Sequence, residues 1–350
     1  MKKTNKKKII YFITLFFIIV IVFIIADFYL ENKSKKNRVY NFDENLGWVI
    51  KKNFSKDFVN LSLNKTEYLT TITSTSEKGY NFYEKPDLNK KKILVLGDSF
   101  VVNQYHGNES AWWNTLRKKI NEKYEYQFYV AGAPGYSNVQ QLLLLRDIVK
   151  TVKPDIFILA FCTYNDFYEN NKNMAEWGII RHQTKLRPYY DIKTKKIKRL
   201  DDLNSKIYRF LFNSYFLRKI DNIYMRIQQR IYKDYYVGPY KDLLNENIIV
   251  TEEILEEMRE LIGEEALFLS VDCTMEPNDL NQLWQKIIKK LNGHPLDEHR
   301  NGFYKLTLNN KELVHIDGFH LTAKGQQLYG ELLFDLMDNK FLKKNKSKLG

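Results

Sequence analysis

The chain has 350 residues, of which 44% are hydrophobic and 28% charged, with a formal net charge of +13. Five lysines in the first eight residues and five more at Lys340, Lys343, Lys344, Lys346 and Lys348 supply +10 of that charge, leaving +3 for the body. Such lysine runs are solvated or membrane-attracted tails, no nucleic-acid-binding module is recognisable, and a nucleic-acid partner is excluded.

Ile9 to Ala26 is uncharged and almost wholly apolar, and its 18 residues span about 27 Å as a helix, close to the hydrocarbon thickness of a bilayer. Asp27 ends the apolar run, and Phe28, Tyr29 and Leu30 extend the expected anchor to residues 9–30. The basic tail at 1–8 predicts a cytoplasmic N-terminus and an extracytoplasmic body, which makes a single-pass cell-membrane protein. A cleaved signal peptide is the competing account. Its apolar core is usually about 7–15 residues with a small-residue cleavage site, whereas Ile24-Ile25-Ala26-Asp27 lacks an Ala-x-Ala pattern.

Residues 31–90 read as a stem with short strands around Leu46-Gly47-Trp48 and alternating Tyr68–Ile72. The body, 91–340, alternates strands and helices. Ile93–Leu96 is a buried strand, Ser110 is placed to cap a helix over Ala111–Glu122, and Gln127–Ala131 is a second strand. A helix from Asn138 to Val152 is stopped by Pro154, and Asp155–Phe161 is a third buried strand. Thr251–Leu261 (helix), Leu267–Val271 (strand), Leu280–Leu291 (helix) and Thr322–Met337 (helix) complete the pattern before a basic tail at 341–350. This alternation predicts an α/β fold, a doubly wound parallel sheet flanked by helices, with its site beyond the C-terminal ends of the strands. An aromatic-rich insertion at about 169–247 carries helical patches at Asn204–Phe212 and Leu217–Tyr232. Its Tyr189, Tyr190, Tyr235 and Tyr236 are suited either to stacking on sugar rings or to plain packing, and no substrate-binding residue is assigned.

Four short blocks carry the chemistry. Gly97-Asp98-Ser99-Phe100 puts a serine just past the first strand, Ala131-Gly132-Ala133-Pro134-Gly135-Tyr136-Ser137 follows the second, Tyr164-Asn165-Asp166-Phe167 follows the third, and Asp317-Gly318-Phe319-His320 precedes the last helix. Ser, His and Asp together suffice for a nucleophile system, in which His takes the serine proton and Asp holds the His tautomer. His315 is the rival base, and Asp98 and Asp166 are expected to bond loop amides.

In their order and content the four blocks resemble the SGNH (GDSL-like) hydrolase family. That resemblance implies a flavodoxin-like three-layer α/β/α fold behind the transmembrane helix, catalytic Ser99, Asp317 and His320, and an oxyanion hole from Ser99 N–H, Gly135 N–H and the Asn165 amide. Gly132 is the alternative glycine. It implies no cofactor and no metal, and anchored members carry similar leaders before the serine block. The chain departs from the family at Thr163, where a glycine is usual, and at Gln104, with Gly107 further along.

The resemblance and the anchor point to an esterase or O-acyltransferase acting on ester-bearing envelope glycans. A lipid esterase and a catalytically silent glycan-binding or assembly protein are the alternatives. Cys162 and Cys273 are expected on neighbouring strands as free buried thiols, because bridging adjacent parallel strands is strained.

Overall fold

A computed structural model describes residues 2–35, 39–52, 54–61, 67–74, 80–103, 106–163, 165–170, 187–199, 213–217, 219–220, 223, 244–273, 279–297, 300–315 and 320–343. Helix α1, Lys2–Lys35, contains one stretch, Ile10–Ser34, long and apolar enough to cross a membrane. Asp27 does not end it: its Oδ1 accepts from Ser214 Oγ at 3.1 Å and from the Phe216 backbone N–H at 2.9 Å. Phe216 also stacks on Phe23 with ring centroids 4.7 Å apart, so part of the insertion packs on the helix.

Two antiparallel hairpins follow, β1 (Tyr40–Asp43) with β2 (Gly47–Ile50) and β3 (Phe54–Leu61) with β4 (Glu67–Ser74). The main sheet has six strands: β5 (Tyr80–Tyr83), β6 (Lys91–Gly97), β7 (Tyr126–Gly132), β8 (Ile156–Phe161), β11 (Leu267–Asp272) and β12 (His294–Pro295). They lie in the order β12-β11-β8-β6-β7-β5. All pairings are parallel except β5 against β7. Leaving out that antiparallel edge, the parallel strands read 2-1-3-4-5 in chain order, the flavodoxin-like arrangement, whose switch point lies between the first and third strands, here β6 and β8.

Side-chain alternation along β6 divides the core. Ile93 and Val95 face one layer, built by α3 (Trp112–Asn121), α7 (Arg300–Asn309) and α8 (Ala323–Met337). Leu94 and Leu96 face the other, built by α4 (Asn138–Ile148), α5 (Leu244–Ile262) and α6 (Asp279–Lys290). A sheet buried on both faces explains why its central strands are unbroken apolar runs.

Side chains cap α4 and α8. Ser137 and Gln140 form a capping box at the start of α4, and Thr322 caps α8 through the Gly325 N–H at 3.2 Å. The Ser110 cap is overturned. Ala111 is the N-cap of α3 with no side-chain bond, because the Ser110 hydroxyl turns back to donate to the His106 carbonyl at 2.7 Å. Helix α5 begins at Leu244, inside the span assigned to the insertion.

Tyr189 and Tyr190 of β9 (Tyr189–Asp191), which pairs with β10 (Lys196–Lys198), are buried, and Tyr190 donates to Glu253 of α5 at 2.6 Å. They pack the fold and are not open to a sugar. The patch Asn204–Phe212 and the residues Tyr235 and Tyr236 lie outside the described residues, as does nearly all of Leu217–Tyr232. Cys162 and Cys273 are buried free thiols, and burial pushes the Cys273 thiol well up.

Candidate active site

Strand β6 delivers the nucleophile. It ends at Gly97, where a Cβ would come 2.5 Å from Val101 Cγ2 and 2.9 Å from the Ala160 Cβ, so only glycine lets the chain turn this tightly against β8. Asp98 then caps the one-turn helix α2 (Ser99–Val102) by accepting from the Phe100 N–H at 3.0 Å. Two indoles lock that turn: Trp112 Nε1 donates to the Phe100 carbonyl at 3.0 Å and Trp113 Nε1 to the Val101 carbonyl at 2.7 Å.

The base arrives from the far end of the chain. His320 Nε2 lies 2.9 Å from Ser99 Oγ, across 221 residues. Val314 bridges Leu321, and the His315 N–H donates to the His320 carbonyl at 2.7 Å, so backbone bonds tie His320 to the segment Val314–His315. Phe100 stacks on the imidazole at 5.1 Å between ring centroids and 27° between planes. Asp317 lies outside the described residues. His315 is not against Ser99; its ring faces His106, 6.4 Å away.

Gly132 and Gly135 do different work. Gly132 ends β7 in register with Gly97, and a Cβ there would sit 2.2 Å from the Gly97 carbonyl oxygen, so its glycine is demanded by the sheet. Gly135 lies beyond the strand with φ +76°, a left-handed backbone. The β1–β2 hairpin clasps this loop. Trp48 Nε1 donates to the Pro134 carbonyl at 3.3 Å, the Tyr136 hydroxyl to the Trp48 carbonyl at 2.5 Å, and Gln140 Nε2 to the Leu46 carbonyl at 2.6 Å.

Asn165 stands after β8, its Nδ2 3.2 Å from Glu169 Oε2 and 3.5 Å from Asp98 Oδ2. Asp166 is fully buried and accepts from the Cys162 N–H at 2.9 Å and Asn138 Nδ2 at 3.3 Å. Its carboxyl is pushed well up by burial and then by the neighbouring Asp98. Asp98 itself is raised to about 6, by burial first, while its bond from Phe100 works the other way. Thr163 replaces a glycine without strain, since it is not among the non-glycine residues with positive φ. Its hydroxyl donates to Asp272 Oδ2 at 3.0 Å and accepts from Asn281 Nδ2 at 3.0 Å, tying the loop after β8 to β11 and α6.

His106, 9% exposed, sits behind the base and is lowered from 6.5 to about 4, by burial first and then by His315, with a smaller push from His320. Unfolding lets this ring take up a proton between those values, so its contribution to stability is lost as pH falls from about 6.5 towards 4. The linked change is on the order of 3 kcal/mol. Asp98 acts oppositely over nearly the same window, because the folded state holds the proton there. The stability difference between His106→Gln and the parent chain should therefore shift towards the variant on going from pH 7 to pH 4.5. Urea midpoints of the detergent-solubilised chains measure this, and a pH-independent difference would show that the ring is not held neutral.

Among the described residues no group of three or more His, Cys, Asp or Glu side chains could hold a metal ion.

No family model matches the chain, and no curated protein matches it. Solved structures do. One described as TesA is 13% identical over 71% of this chain and 98% of its own, with a TM-score of 0.41. The psychrotrophic esterase EstA from Pseudoalteromonas sp. gives 13%, 71%, 98% and 0.41. A member of the lipolytic protein G-D-S-L family from Veillonella parvula gives 10%, 71%, 98% and 0.40. At identities this low and TM-scores below 0.5, what the chain does has to be argued from its own geometry.

Proposed function

We propose that the chain is a membrane-anchored serine esterase or O-acyltransferase that works outside the cytoplasm on ester-linked acyl groups of envelope glycans. The observation that carries this is the 2.9 Å approach of His320 Nε2 to Ser99 Oγ at the sheet's switch-point edge. A serine at hydrogen-bond distance from an imidazole is the basic unit of nucleophilic acyl transfer.

In the proposed cycle His320 removes the Ser99 proton as the oxygen attacks the ester carbonyl. The negative charge passes to the carbonyl oxygen, where the Ser99 N–H, the Gly135 N–H and Asn165 Nδ2 stabilise it. Each such donor is worth about 3–4 kcal/mol when removed. His320 then returns the proton to the leaving alcohol, and an ester joins the acyl group to Ser99. Water, or a sugar hydroxyl in the transferase case, gives its proton to His320 and attacks that ester; as the acyl–oxygen bond to Ser99 breaks, His320 passes the proton to Ser99 Oγ and both groups are restored. Asp317 takes the role of holding His320. The apolar helix supports the location, and the five lysines before it support the orientation.

A fluorophosphonate probe tests the chemistry. The full chain in detergent should be labelled, and Ser99→Ala and His320→Ala should not. A folded parent chain that resists labelling would favour a silent binding protein of the same fold. Release of acetate from acetylated glycan, compared with fatty acid from lysophospholipid, then decides the substrate class.

A further inference from the structure

Arg187 lies within the inserted segment and is 3% exposed. Its Nη2 donates to the Gly135 carbonyl at 2.6 Å and lies 3.4 Å from Glu169 Oε1, while the other Glu169 oxygen accepts from Asn165 Nδ2 at 3.2 Å. The guanidinium also lies 5.7 Å from the centre of the Trp48 ring, and the Trp48 indole N–H bonds the Pro134 carbonyl at 3.3 Å.

A peptide unit is planar, so fixing its carbonyl fixes its N–H. The Pro134 carbonyl shares a peptide unit with the Gly135 N–H, and the Gly135 carbonyl belongs to the next unit. Trp48 therefore sets the direction of the Gly135 N–H, and Arg187 stops the following unit from rotating about a glycine that has no Cβ to restrain it. Glu169 carries the same restraint to Asn165. Its Nδ2 has two hydrogens: one is held in the 3.2 Å bond to Glu169, and the 3.5 Å separation of Nδ2 from Asp98 Oδ2 engages the other only weakly, which leaves it available to an oxyanion.

We propose that Arg187 and Glu169 are a positioning pair that clamps the Gly135 loop and the Asn165 side chain together, with Trp48 of the stem as the third member. This rests on the serine-esterase reading and adds to it the way in which two loops from different strands are kept in register for one small anion. A buried ion pair is weak support for stability but well suited to fixing geometry. The clamp joins the site to the stem and to the insertion, two parts that carry none of the reacting groups.

The full chain in detergent is assayed with p-nitrophenyl acetate and, separately, by hydrogen exchange across residues 133–137. Arg187→Met should lower kcat about 10- to 100-fold while KM changes less than about threefold, as expected when oxyanion donors are displaced and ground-state binding is kept. Arg187→Lys should fall in between, since an ammonium can replace the one nitrogen, Nη2, that meets both Gly135 and Glu169, but loses the planar guanidinium beside Trp48. The Gly135 and Tyr136 amides should exchange faster in Arg187→Met and unchanged in Ser99→Ala. If Arg187→Met does not fold, Trp48→Phe removes the indole donor along with part of the buried ring, and should lower kcat and speed exchange in the same direction on a smaller scale. A kcat within about twofold of the parent, or a loss equal in kcat/KM and in thermal stability with unchanged loop exchange, would overturn the clamp. A parent chain with no esterase activity would instead remove the serine-esterase reading, and the exchange data would still decide whether Arg187 holds the loop.

Discussion

Ser99→Ala and His320→Ala should each lower kcat for ester turnover by about 10⁴- to 10⁶-fold, and the double variant should be no slower than the worse single one. The reason lies in the 2.9 Å contact between them. An alanine at 99 leaves the imidazole with no hydroxyl to deprotonate, and an alanine at 320 leaves a hydroxyl far too weakly acidic to attack at neutral pH. Either loss empties the same step, so the second removes nothing further. Residual turnover would come from the oxyanion donors alone. Thermal stability should change little in Ser99→Ala, because α2 is held by the Asp98 cap and by the Trp112 and Trp113 indole bonds. Initial rates with p-nitrophenyl acetate, alongside a melting curve for each chain, measure both quantities. Losses that multiply in the double variant would show that Ser99 and His320 act independently, and a single unit of nucleophile and base would have to be given up.

The second large effect separates the two glycines of one loop. Gly132→Ala should abolish the folded domain, because the new methyl would lie 2.2 Å from the Gly97 carbonyl oxygen and 2.9 Å from the Gly97 carbonyl carbon. Both atoms are backbone, in strands paired from Lys91 with Tyr126 to Gly97 with Gly132, and neither can yield without parting β6 from β7. The expected cost is on the order of 4 kcal/mol or more, a large share of a domain's whole stability. Gly135→Ala meets nothing closer than 3.8 Å and suffers only its positive φ. That strain is about 1–2 kcal/mol, so this variant should fold and lose turnover instead. Yield and melting temperature of the two proteins decide the matter. A Gly132→Ala chain melting within a few degrees of the parent would mean that the strands are not packed as described.

Much of this molecule was legible in local sequence. The four blocks are each a few residues long, and each sits where a strand or helix terminus can be read from its neighbours. Apolar runs such as Ile93–Leu96 announce strands buried on both faces. Other features had no local signal. The Ser110 hydroxyl could accept from a helix N–H or donate to a carbonyl, and only the folded turn at His106 settled which it did. Thr163 looked like a missing glycine, yet its hydroxyl is a link to Asp272 and Asn281, residues more than 100 positions away. Arg187 was one basic residue among many in the inserted segment, and its burial against Gly135 and Glu169 depends on separate chain segments meeting.

What the sequence determined by itself is the chemistry that was available and its order along the chain. A serine, an amide, a glycine loop and a histidine are distinct functional groups whose short contexts place them at strand and helix ends, and an apolar helix of membrane-spanning length needs no partner to be recognised. What only the tertiary structure decided is distance. The strand order brings β6 and β8 together at the switch point, the last turn carries His320 to within 2.9 Å of Ser99, and the stem hairpin and Arg187 close on the Gly135 loop. Periodicity reports which face of an element is buried, but contacts between residues far apart in the chain arise only when the packed layers have chosen their neighbours.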